Sequence, residues 1–175
     1  MLKCGFRHTA FMIVRSSKVP ALLRGTIVDI ETTGVSADRD NLITVGILAN
    51  GAYRIYQATD GSDMLSALRP ILQDLPRPIY AFNKGFEESF LQIAVDRELQ
   101  LRPYESKNDA IRISGISDPL GHGRWVPPEW HQYEGDGRDD HLDRIIAHNL
   151  ADLQHEMCLA IIRSWPTSPS SNGDQ

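Results

Sequence analysis

Gly25-Thr-Ile-Val-Asp29-Ile-Glu31-Thr32-Thr33-Gly34 is the stretch on which the fold turns. Its apolar, β-branched run predicts a buried strand over 25–31, ended by the turn residues at 32–34. Residues two apart on a strand point to the same face, so Asp29 and Glu31 present their carboxylates together while Ile30 points away. Two acids side by side at the end of an apolar strand repel each other and lose hydration. A hard dication such as Mg²⁺ or Mn²⁺ offsets that cost, because it prefers oxygen ligands. Taken alone, the pair fits equally well a strand end that emerges into water with both acids hydrated.

Outward from this strand, 42–49 and 52–58 predict two more strands, and Asn50-Gly51 between them is a two-residue hairpin signal. Residues 62–75 predict a helix with Ser62 as N-cap and Pro76 and Pro78 as its stop. The short apolar run 78–82 predicts a central strand, and 85–99 a helix with Phe86, Phe90, Ile93 and Ala94 on one face. Prolines and glycines over 100–138 predict a long irregular segment of the kind that carries function in compact domains. Across 139–164, Leu142, Ile145, Ile146, Leu150, Leu153, Met157 and Ile161 recur at helical spacing and predict the clearest helix. The order β-β-β-α-β-α-α implies an α/β fold whose first three strands form an antiparallel meander.

Two further segments carry chemistry. In 81–88, Asn83 suits a helix cap and Glu87 the positive N-terminus of that helix, or Glu87 lies near the acids of the first strand. In the last helix His148 and Asp152, four apart, share a side. They are ordinary surface groups, or Asp152 is a metal ligand and His148 takes a proton from an attacking water. By helical angle Asp152 flanks the apolar stripe and His148 lies on the polar face. His141, His148 and His155, seven apart, are expected to form a solvated stripe.

Together these three segments resemble the DEDD exonuclease group of the ribonuclease H-like superfamily, and most of all its YprB-type branch. Residues 28–34 (VDIETTG) match the first motif of the group, 83–91 (NKGFEESFL) resemble the second, and 135–152 the third. The resemblance spans about residues 25–160. It departs at Glu87, where the group usually has aspartate, and in the H-x-x-x-D spacing of the third motif. The resemblance implies a ribonuclease H-like fold with a mixed five-stranded sheet flanked by helices. It also implies two Mg²⁺ or Mn²⁺ ions held by Asp29, Glu31, Glu87 and Asp152, with His148 assisting deprotonation of water. Thr32, Thr33, Asn83 and Lys84 would touch substrate; Arg124 and Trp125 are candidate phosphate and base contacts on charge and stacking grounds. The activity implied is 3′→5′ hydrolysis of single-stranded DNA or RNA.

Composition sets the frame for that expectation. The chain has 175 residues, 41% of them hydrophobic, enough for one domain with one core. Its net charge of −5 argues against a protein that coats nucleic acid through bulk charge, but not against an enzyme whose acids hold cations. Five basic residues and no acid fall within 1–28, so 1–24 is expected as a basic segment, 25–165 as the nuclease domain and 166–175 as a disordered tail. Two cysteines without metal spacing and no membrane-length apolar run fit a cytoplasmic protein. Two rival functions share the same residues: a catalytically weak or inactive nuclease-fold module that binds nucleic acid or protein, and a metal-dependent phosphoesterase acting on a small ligand.

Overall fold

The computed structural model describes residues 11–18, 24–58, 63–99 and 117–164. The strand predicted from the opening motif is β2 (Thr26–Thr32), and every one of its residues is buried. It pairs antiparallel with β3 (Leu42–Ala49), which pairs antiparallel with β4 (Ala52–Ala58). That is the expected meander. The β3–β4 turn puts Asn50 and Gly51 at φ 51° and 70°, the left-handed pair that matches the twist of a tight hairpin. On its other side β2 pairs in parallel with β5 (Ile79–Ala81), which pairs in parallel with the two-residue β6 (Arg97–Glu98). Five strands thus make a mixed sheet, and β1 (Phe11–Lys18) adds a sixth on the free edge of β4. Residues 11–18 of the basic segment therefore contribute an edge strand.

Alternation along β2 divides the molecule into two layers. Val28 and Ile30 pack into a core with α1 (Met64–Gln73) and α2 (Lys84–Leu91), through Met64, Leu68, Leu72, Phe90 and Leu91. Ile27 packs on the opposite face with Leu48, Tyr80, Leu99, Leu153 and Ala160. Asp29 and Glu31 share the face of Ile27, so they point toward the long helix that covers it.

Three elements depart from the expectation. The N-cap of α1 is Asp63, whose carboxylate accepts from the Ser66 N–H at 3.0 Å; Ser62 lies outside the described residues. The second helix stops at Leu91, not near 99, because Gln92 turns left-handed (φ 54°) and the Glu88 carboxylate accepts from the Val95 N–H at 2.8 Å. The following residues keep an apolar pattern but pair with the open edge of β5, through Asp96 N–H to the Ile79 carbonyl and Leu99 N–H to the Ala81 carbonyl. The supposedly irregular 100–138 contains a short 3₁₀ turn (Gly123–Trp125) and then helix α3 (Val126–Asp136). Pro127 and Pro128 fall in the first turn of α3, where no intrahelical N–H bond is lost. Residues 100–116 and the tail expected at 166–175 lie outside the described residues.

Helix α4 (Asp139–Ser164) lies across β2 and β3. Glu129 on α3 ties the two last helices together, accepting from His141 at 2.7 Å and Arg144 at 2.8 Å. Close approach of α4 to the sheet depends on Gly46, which sits opposite Asp29 in the ladder. A Cβ there would collide with the Asn149 side chain and stand 2.7 Å from Leu153 Cδ1. No helix among the described residues is long and apolar enough to cross a membrane.

Gly46→Ala is expected to push α4 off the sheet and cost about 1–3 kcal/mol. Urea denaturation measures it; an unchanged midpoint would mean that α4 is free to shift without loss.

Candidate metal centre

Three elements bring acids to one place. The strand end supplies Asp29 and Glu31, the first turn of α2 supplies Glu87, and α4 supplies Asp152. All four line a single cavity of about 390 Å³. They meet because β2 and β5 run parallel, so the chain leaving β5 into α2 emerges at the same sheet edge as the end of β2. A register shift between Glu31 and Thr32 breaks the regular pairing with β3 at that end before Thr32 pairs with Leu42.

Burial at this place is nearly complete. Asp29, Glu31 and Glu87 are buried, and Asp152 is half-buried. Helix α4 adds residues that the sequence reading did not assign. Asn149, fully buried, donates from Nδ2 to Asp29 Oδ2 at 2.7 Å and, more weakly, to the Asp29 carbonyl at 3.4 Å. Glu156 and His155 line the same cavity, with His155 Nδ1 standing 3.5 Å from Asp152 Oδ1. Asp118, thirty residues before His148, accepts from His148 Nδ1 at 2.6 Å. His148 Nε2 then faces Glu31 Oε1 at 3.6 Å and Asp152 Oδ2 at 3.7 Å.

This arrangement overturns the expectation for the histidines. His141, His148 and His155 are all buried, and His148, placed on the polar face by helical angle, has no exposed surface. The reason is that α4 is covered on two sides, by the sheet and by the 3₁₀ turn with α3, so its polar stripe is as enclosed as its apolar one. A signal for this was present: His148, Asp152, His155 and Glu156 recur at the i, i+4, i+7, i+8 spacing of one helix face. Asp118 carried no such signal, since only the fold brings it to His148.

The candidate substrate contacts separate. Thr32 and Asn83 line the cavity, and so does Arg124, whose guanidinium lies 5.2 Å from the centre of the exposed Trp125 ring. Thr33 instead closes its own loop, its Oγ1 accepting from the Asn41 N–H at 2.9 Å, and lines a different cavity. Lys84 does not reach the acids. Its Nζ lies 3.7 Å from Glu88 Oε1.

The electrostatics follow from burial. Desolvation pushes the Glu87 carboxyl up to about 7, against backbone hydrogen bonds at Glu87 and Asn83 that favour the charged form. Glu156 is held well above the usual carboxylate range, by burial first and then by the charges of Asp29, Glu87, Asp152 and Glu31. Asp118 goes the other way: burial raises it, but hydrogen bonds from the Gly121 backbone and from His148 outweigh burial and keep it ionised. Glu87 Oε2 and Glu156 Oε2 have no hydrogen-bond partner among the described residues. Glu31, His148 and Asp152 each offer a ligand atom, all within 4.8 Å of one another. Oxygen-rich, buried, short of donors and anionic, this residue set fits a divalent cation.

Glu87 gives the site a definite pH dependence. Its carboxyl is raised in the fold from the usual 4.5 to about 7, so the folded state binds the extra proton and, without metal, loses stability as pH rises from about 4.5 through 7. A cation needs the ionised form, so Mn²⁺ affinity is expected to climb over the pH range around 7 in calorimetric titrations, with proton release on binding. Glu87→Gln should flatten both trends; a pH-independent affinity in the wild type would show that Glu87 is not a ligand. No protein-family model and no curated protein matches the chain, so the functional reading stands on this geometry.

Proposed function

We propose that the protein is a divalent-metal-dependent nuclease that hydrolyses phosphodiester bonds of single-stranded nucleic acid, working from the 3′ end. One observation carries this: Asp29, Glu31, Glu87 and Asp152, drawn from three elements, line one cavity. The antiparallel meander followed by a parallel strand and a covering helix is in keeping with the ribonuclease H-like fold that the motifs resemble.

Asp29, Glu31, Glu87 and Asp152 would hold Mg²⁺ or Mn²⁺, and bound cations would supply charge neutralisation and Lewis acidity for phosphoryl transfer. The protein's own groups supply the rest. Asn149 holds Asp29 in place by donating to its Oδ2. Val35, Phe82, Phe86, Pro127 and Leu159 form an apolar wall beside the acids, a surface for a base or sugar. Arg124, the cation at the cavity rim, offers charge to a phosphate. Glu156 lines the same cavity beside these acids.

The test uses end-labelled single-stranded DNA and RNA with Mn²⁺ or Mg²⁺. Shortening from the 3′ end is expected, with Asp29→Ala and Asp152→Ala each lowering the rate at least about 100-fold. Intact polymer after prolonged incubation, under conditions where metal binding is saturated, would sink the nuclease assignment. Cleavage that survives Asp29→Ala would place the chemistry elsewhere.

A further inference from the structure

We infer that Glu31, His148 and Asp152 form a mixed nitrogen–oxygen metal site, with His148 Nε2 as a direct ligand, and that this site selects a first-row transition dication such as Mn²⁺ or Zn²⁺ over Mg²⁺. The inference rests on the metal-binding part of the function proposed above and changes the role of His148 within it: the imidazole that the sequence casts as a proton acceptor holds the ion instead.

Four observations support the assignment. His148 has no exposed surface, so water does not satisfy its ring. Asp118 Oδ1 lies 2.6 Å from His148 Nδ1, and a carboxylate oxygen accepts, so the contact places a proton on Nδ1. With Nδ1 turned to Asp118, Nε2 faces the acids and has no hydrogen-bond partner among the described residues. Finally, its distances of 3.6 and 3.7 Å to Glu31 and Asp152 are too long for hydrogen bonds. They are close to the spacing of two ligands sharing one ion, since metal–ligand bonds of about 2.1 Å at near-tetrahedral or octahedral angles separate ligand atoms by roughly 3.0–3.5 Å.

The carboxylate behind the imidazole is the usual partner of a ligating histidine, orienting the ring and raising its basicity. Asp118 takes that place, with its side chain only 2% exposed. Selectivity then follows from ligand chemistry. An all-carboxylate cage suits Mg²⁺ and Mn²⁺ alike, whereas an imidazole ligand favours the transition ions. His155, near Asp152 on the far side, is not required for this site.

The experiment takes the full chain, stripped with chelator, and titrates it calorimetrically with Mg²⁺, Mn²⁺ and Zn²⁺. Mn²⁺ is expected to bind at least about tenfold more tightly than Mg²⁺. Pulsed electron paramagnetic resonance of the Mn²⁺ form should show ¹⁴N coupling from one imidazole. That coupling should vanish in His148→Ala and persist in His155→Gln. Asp118→Asn keeps the histidine but alters its support, and is expected to weaken Mn²⁺ binding about 10–100-fold. The wild-type signal needs no variant, so misfolding of His148→Ala leaves the central measurement intact. Mn²⁺ bound through oxygen alone, coupling retained in folded His148→Ala, or equal affinity for Mg²⁺ would overturn the inference. Polymer cleavage without nitrogen coupling leaves the nuclease standing and this inference fallen; nitrogen coupling without cleavage does the reverse.

Discussion

The structure depends on how it tolerates carboxylates buried together at one end of β2. Asp29, Glu31, Glu87 and Glu156 are nearly inaccessible and line one cavity. Each would lose several kcal/mol of hydration if left ionised and unpaired in such surroundings. Two compensations act at once. The Asn149 amide serves Asp29, and a raised pKa relieves Glu87 and Glu156. A protein stabilised for its own sake would place leucines there. The cation proposed above would add a further compensation.

The two faces of the sheet divide the work of meeting that cost. On the α1 and α2 face, Val28, Ile30, Val45 and Ile79 pack into a wholly apolar core that fixes the strands. On the α4 face, Ile27, Leu48 and Leu153 secure one end and the carboxylates occupy the other. Gly46 lets α4 come close enough for Asn149 to reach Asp29. The clustered acids therefore sit on a strand and two helices, elements stiff enough to hold charged groups at fixed separations.

Much of this was legible in the chain. The run 25–34 specifies a buried strand and puts two acids on one face, and Asn50-Gly51 specifies the hairpin after it. Glu87 and Asp152 line the same cavity as Asp29 and Glu31. Less legible were the points where two local preferences compete. Residues 92–99 carry a helical apolar pattern, but the open edge of β5 captures their backbone. Pro127 and Pro128 look like helix breakers until they are seen to occupy a first turn. The histidine spacing on α4 was visible, yet its burial was not, because a helical period reveals which residues share a face and not how many faces are covered.

The sequence by itself determined the strand that carries Asp29 and Glu31, the meander it opens, and the long helix bearing His148 and Asp152. These follow from periodicity and turn chemistry, which act over a few residues. Only the tertiary structure decided that His148 is enclosed, that Asp118 supports it from thirty residues away, that Asn149 rather than solvent satisfies Asp29, and that Glu156 joins the acids. Those are long-range facts of packing and electrostatics. Burial and the hydrogen bonds that offset it exist only once β2, α2, α4 and the segment around Asp118 have met.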